Sequence, residues 1–281
     1  MKHVLALLIA GSLASGFAAY AQTTPARPHV TLTRLDCGTS NGPRDVSAFS
    51  DTHAYAGQKR SLVASCYLIR HGDDLMLWDL GYPLSVRQAA GTPMLLPKSV
   101  IDQLRELGVD PARVSRIGVS HYHGDHTGQA RDFPQATLMI GAGDWAALTA
   151  KDAKPGFGAP DPEPVAHWVS GGGKVEPVAR DKDVFGDGSV VMLDAPGHTP
   201  GHHSLLVRLK NKGPVLLSGD ITHFRENYDT DGIPSFNTNR ADSLASLHRF
   251  KAMAANLKAT VIIQHDPRDV AKLPAFPASA E

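Results

Sequence analysis

The sequence predicts an α/β fold of two strand-rich halves, each carrying helices, with its chemistry on the loops where strands end. Three observations carry that prediction. Short apolar runs recur along the chain, bounded by Gly, Asn, Asp and Pro. Residues 98–107 and 244–257 show helical spacing instead. His121, His123, Asp125 and His126 crowd into HYHGDH directly after an apolar run, a density that a solvated loop does not need.

The chain opens with Lys2 and His3, an apolar run and Ala19-Tyr20-Ala21, the pattern of a signal peptide at 1–21 cut before Gln22. An uncleaved anchor is the alternative, but Gly11, Ser12, Ser15 and Gly16 interrupt the apolar run. Residues 22–281 then form a single domain, and no later segment resembles a membrane span. Residues 30–35 read as a strand and 36–51 as a polar loop. Strands at 62–69 and 75–78 flank the turn His71-Gly72-Asp73, and Asp79 ends the second.

In the helix at 98–107 the apolar positions are Val100, Ile101, Leu104 and Leu107, and Gly108 closes it. A buried strand at 114–119 leads into the histidine cluster, and one at 137–140 precedes a helix starting near Asp144. Residues 151–174 are rich in Gly and Pro, contain Trp168 and lack periodicity, which predicts an insertion or lid outside the core. A strand at 190–193 runs into the turn at 195–202. Strands at 204–209 and 215–218 make a hairpin around Asn211-Lys212-Gly213, and a strand at 260–263 ends at Gln264-His265.

Lys plus Arg equals Asp plus Glu at 28 each, so there is no electrostatic case for a nucleic-acid partner. Cys37 and Cys66 both lie in the exported part, where a disulfide is permitted, but their strand-like surroundings favour buried free thiols. Neither sits in a ligand pair, which argues against a thiolate site. Imidazoles and carboxylates suit zinc, with cobalt, manganese or iron as alternatives. His198, Asp220 and His265 join the cluster because each follows a predicted strand. His53, His71, His167 and His248 lack ligand spacing. His202, beyond a Pro-Gly turn, reads as support for the site, and Asp79 as an acceptor for the outer N–H of a ligand imidazole.

HYHGDH at 121–126, GHTPGH at 197–202, SGD at 218–220, LWDLG at 77–81 and the late His265 resemble the metallo-β-lactamase superfamily. Within it, LDCG at 35–38 and QHDP at 264–267 are similar to the N-acyl homoserine lactonases. The resemblance implies a four-layer αβ/βα sandwich and two metal ions per chain. His121, His123 and His198 would hold one ion, Asp125, His126 and His265 the other, and Asp220 would bridge them. It also implies lactone opening through a metal-bridging hydroxide, with Asp125 carrying the proton to the leaving alkoxide. Where many of these lactonases have a tyrosine three residues after the bridging aspartate, this chain has His223, expected to orient the carbonyl in its place. Tyr228 is the nearby alternative phenol, and Phe224 with the 151–174 segment would line an apolar groove for the acyl tail.

The expected function is therefore that of an exported dinuclear zinc hydrolase opening N-acyl homoserine lactones, acting on a small-molecule substrate in the periplasm or outside the cell. A hydrolase of organophosphates or other phosphoesters could use the same ligands. β-Lactamases generally lack the bridging carboxylate, and no basic cluster marks a glutathione thioester site. From another class, a non-catalytic metal-binding module would bind ions and turn nothing over. The sequence leaves the oligomeric state open, a dimer included.

Overall fold

The computed structural model describes residues 28–88, 91–151 and 158–281. The signal-peptide reading at 1–21 lies outside them, as does part of the 151–174 segment. Two sheets face each other. The first has eight strands, with Ser279–Ala280, Val30–Ser40, Val63–His71, Asp74–Trp78, Arg116–Gly118, Thr137–Gly141 and Val175–Val178 in spatial order, and Met94–Leu95 on Val30–Ser40. The second has five, in the order Lys182–Asp183, Val190–Asp194, His203–Leu209, Gly213–Leu217 and Thr260–Ile262.

Both faces of each sheet are covered, and the period-2 alternation of strand side chains says how. Along Val63–His71, Ala64, Cys66 and Leu68 point into an outer core with Val100 and Leu104 of the helix Val100–Glu106. Tyr67 and Ile69 point the other way, into an inner core shared with Val190, Leu205, Val207, Val215 and Ile262 of the second sheet. Leu206 and Leu216 face outward again, against Leu247, Phe250 and Ala254 of the helix Arg240–Leu257. Helix, sheet, sheet, helix is the four-layer sandwich that the sequence led us to expect.

Several boundaries differ from the sequence reading. The first strand continues to Ser40 through the stretch read as loop, with an irregular register between Asp36 and Thr39. Buried Gln103 satisfies Asp36 there, accepting its N–H at 2.8 Å and donating to its carbonyl at 2.8 Å. The helix Arg240–Leu257 starts before 244 because Asn239 caps the N–H groups of Ala241 and Asp242. Of the segment read as a lid, Val165 and Trp168 belong to the outer core, and the Trp168 indole donates to Ala136 O at 3.1 Å. Proline-broken helical turns hid that burial from any periodicity test. Cys37 and Cys66 form a disulfide between the two neighbouring strands.

Candidate metal centre

Strand ends deliver the site. Asp74–Trp78 runs parallel to Arg116–Gly118 in one sheet and Gly213–Leu217 to Thr260–Ile262 in the other, and the segments after them carry Asp79, the 121–126 cluster, Asp220 and His265. His198 comes from the turn after Val190–Asp194. These side chains converge as two groups: His121, His123, His198 and Asp220, and Asp125, His126 and His265, with the donor atoms of each group within 4.8 Å of one another. All seven residues named from the sequence are brought together. His53, His71, His167 and His248 fall in neither group; His71 pairs with Asp187 and His248 with Asp231 instead.

The outer nitrogen of each histidine decides what the inner one can do. His121 Nδ1 is 3.0 Å from Ser120 Oγ, and His126 Nδ1 is 3.0 Å from Asp79 Oδ2. His123 Nε2 donates to Gly158 O at 3.1 Å, His198 Nδ1 to Asn237 Oδ1 at 2.9 Å, and His265 Nδ1 to Val63 O at 2.7 Å. Each outer N–H is thereby spent, and a lone pair is left on each inner nitrogen.

Three of those inner nitrogens face one another. His121 Nε2 is 2.8 Å from His123 Nδ1, and His198 Nε2 lies 3.1 and 3.2 Å from the same two atoms. Lone pairs this close repel unless a cation sits among them. Zinc–nitrogen bonds of about 2.0–2.1 Å at tetrahedral angles place neighbouring nitrogens roughly 3.3 Å apart, close to this spacing. Where the two groups meet, His126 Nε2 and Asp220 Oδ1 are 3.3 Å apart and buried without an aligned hydrogen-bond partner. The residues fit a pair of metal ions.

Asp220 faces both groups at once. Its Oδ1 is 2.9 Å from His265 Nε2 and 3.3 Å from His126 Nε2, while its Oδ2 is 3.5 Å from His198 Nε2 and 3.8 Å from His121 Nε2. His202 fixes it from behind: Nε2 accepts the Asp220 N–H at 2.8 Å and Nδ1 donates to Ala195 O at 3.1 Å. Burial pushes His202 down to about 3, which keeps it the neutral acceptor this contact requires. Gly219, at φ +55°, is glycine because a Cβ there would sit 2.6 Å from His202 Nε2.

The two groups differ electrostatically. Burial, aided by the neighbouring imidazoles, holds His121 well below its ordinary value, and burial likewise lowers His123 and His198. Burial disfavours charge on His126 and His265 too, but Asp220 and Asp125 outweigh it and raise both. Asp220 is held well below the carboxylate range by His265, His126 and His223, against its own burial. The His121/His123/His198 group thus disfavours protons, whereas the carboxylates draw positive charge, proton or metal, toward His126 and His265. Asp79, in the left-handed region at φ 55°, accepts the Ser120 N–H at 2.7 Å as well as holding His126.

Only His123 and Asp125 of the seven are partly exposed, which gives the centre one open side. His223 stands next to it, buried, with Nε2 3.1 Å from Asp220 Oδ2 and its ring against Phe49 and Phe236, which also pack on each other. Tyr228 does not approach: it packs on Phe250 with Arg225 and Lys251 beside its ring. The phenol that does reach the site is Tyr82, which burial, with the nearby carboxylates of Asp125 and Asp220, raises above its ordinary value. Sequence reasoning missed Tyr82, although it directly follows LWDLG, and it missed Ser120, Asn237 and Gly158. Ser120 abuts the cluster, whereas nothing in the chain marks Asn237.

Fold and site together define a metal-binding member of a known class. The chain belongs to the metallo-beta-lactamase superfamily, whose model matches residues 61–265. Among its relatives, the N-acyl homoserine lactonase AttM of Rhizobium radiobacter is 34% identical over 182 residues, covering 59% of this chain and 64% of that protein. An N-acyl homoserine lactonase of Bacillus sp is 27% identical over 237 residues, 79% of this chain and 88% of the relative. A crystal structure of a quorum-quenching N-acyl homoserine lactone lactonase superposes with TM-score 0.76 at 23% identity, covering 90% of this chain and 99% of that one. AidC, a dizinc quorum-quenching lactonase, superposes with TM-score 0.61 at 17% identity over 90% of each chain.

Proposed function

We propose that the protein is an exported dinuclear zinc hydrolase that opens the lactone ring of N-acyl homoserine lactones. The observation that carries the proposal is Asp220, one carboxylate facing two groups of ligands, in a chain that is 34% identical to AttM over the matched residues. Two divalent ions, held by His121, His123 and His198 and by Asp125, His126 and His265 with Asp220 facing both, would supply the Lewis acidity that acidifies water and polarises an ester carbonyl.

The chain's own residues do the rest. Asp125, on the open side, takes the proton of the attacking water and delivers it to the ring oxygen as the acyl C–O bond breaks. Water adds to the carbonyl carbon and the ring oxygen leaves as an alcohol, so no other reactant is needed. His223 turns its Nε2–H from Asp220 to the ring carbonyl when substrate binds. Phe49 and Phe236, partly exposed beside His223, offer the acyl tail an apolar wall, where Phe224 is buried behind Phe49. Cleavage of residues 1–21 delivers the enzyme to the periplasm or the exterior. The Cys37–Cys66 disulfide suits that oxidising setting. Among the described residues no helix is long and apolar enough to cross a membrane.

A side-by-side panel of short- and long-chain N-acyl homoserine lactones, a paraoxon-like phosphotriester and a β-lactam tests the substrate class, with ring-opened product identified by mass. The lactones are expected to give the highest kcat/KM. A phosphotriester that wins by a large factor makes the protein a phosphoester hydrolase on the same scaffold.

A further inference from the structure

We propose that Asp144, which the reaction does not use, is a positioning residue that sets the spacing of the His121/His123/His198 group by clamping together the two loops that carry it. The inference rests on reading that group as a metal site and is independent of the substrate.

Asp144 lies in the short helix Ala142–Leu148 and is fully buried. Its Oδ2 accepts the Tyr122 N–H at 3.1 Å and the Thr199 hydroxyl at 2.9 Å, and its Oδ1 accepts the Gly201 N–H at 2.7 Å. Tyr122 sits between His121 and His123 in the chain, and Thr199 follows His198. One carboxylate therefore ties the backbone of one histidine loop to the backbone and side chain of the other.

The surrounding packing leaves that tie little play. A Cβ on Gly141 would fall 1.7 Å from Gly201 O, one on Gly143 would fall 2.7 Å from Pro200 O, and one on Gly201 would fall 2.3 Å from Asp144 N. Helix start and 199–201 turn meet backbone to backbone, a contact that needs glycine on both sides. Burying a carboxylate against three dipoles is costly, and burial raises Asp144 to about 7 despite those bonds. An amide would avoid the buried charge but would turn an N–H toward one of these three donors, and the sheets and their cores do not by themselves require the two loops to be tied. The centre does: three inner nitrogens from two loops stand 2.8–3.2 Å apart, and metal–nitrogen bonds tolerate errors of only about 0.2 Å.

Cobalt(II) titration of the chelator-treated full chain, read by its visible absorption, tests the clamp in two single-site backgrounds. His265→Ala leaves the His121/His123/His198 group, and His198→Ala leaves the Asp125/His126 side. Adding Asp144→Asn should weaken cobalt binding roughly 10–100-fold in the first background, the scale of losing a group that orients ligands, and less than about threefold in the second. Equal weakening in both would assign Asp144 to general folding, and no weakening in the first would remove its role; either overturns the proposal. Failure of both single-site chains to bind cobalt before Asp144 is changed would instead reject the metal reading beneath it. Thr199→Val, which removes one donor and keeps the carboxylate, covers a misfolded Asp144 variant. It should shift the first background alone by about two- to tenfold, and no shift there overturns the clamp.

Discussion

At the residue scale, Asp125 and His223 have separable jobs. Asp125→Asn removes both the charge and the proton carrier, so it should weaken the second ion and lower kcat by about two to four orders of magnitude. His223→Phe should keep both ions and cost about one to two orders in kcat, the scale of one lost transition-state hydrogen bond. His223→Tyr should recover part of that. Metal content and kcat on one lactone read all three variants; full activity in the Phe variant removes His223 from the reaction, and loss of an ion there makes it a ligand. The raised values of His126 and His265, against the lowered ones of His121, His123 and His198, give a pH prediction with a definite sign. Protons compete with metal where the imidazole pKa is raised, so acidification should release the Asp125/His126/His265 ion at higher pH than its neighbour. Metal content after dialysis across a pH series checks this, and simultaneous loss of both ions contradicts it.

At the scale of elements, the chain announces its structure where a side-chain period meets a two-sided core. Val63–His71, Asp74–Trp78 and Gly213–Leu217 were legible because alternate residues enter different cores. The strands Val175–Val178 and Lys182–Asp183 were not, since they lie at sheet edges and carry mixed burial with no alternation to read. His121, His123, Asp125 and His126 were legible because one short loop spaces them for metal, and His198, Asp220 and His265 because each follows a strand within a family motif. Asn237 and Gly158 were illegible because each meets its histidine only through the tertiary fold, 39 and 35 residues away in sequence. The disulfide, which the sequence left open, spans 29 residues and ties the first strand to its neighbour beside Gly81 and Tyr82. Closing a loop of that length contributes about 3–4 kcal/mol in the chain-entropy model. Denaturant unfolding of a Cys37→Ala/Cys66→Ala variant should show a loss of that order, and an unchanged midpoint would leave the bond without a stabilising role.

At the scale of the whole molecule, the layered sandwich serves to gather five separate loops at one end of two sheets. Its layer order came from resemblance and not from periodicity, because alternation says that a strand has two buried faces without saying which helix covers each. The central claim is that Asp220 couples two ions into one working centre, and activity measured against metal equivalents tests it directly. Zinc added stepwise to chelated protein should restore N-acyl homoserine lactone opening in proportion to a second bound ion, with a plateau at two equivalents per chain. A plateau at one equivalent, or full activity in metal-free protein, would contradict the account.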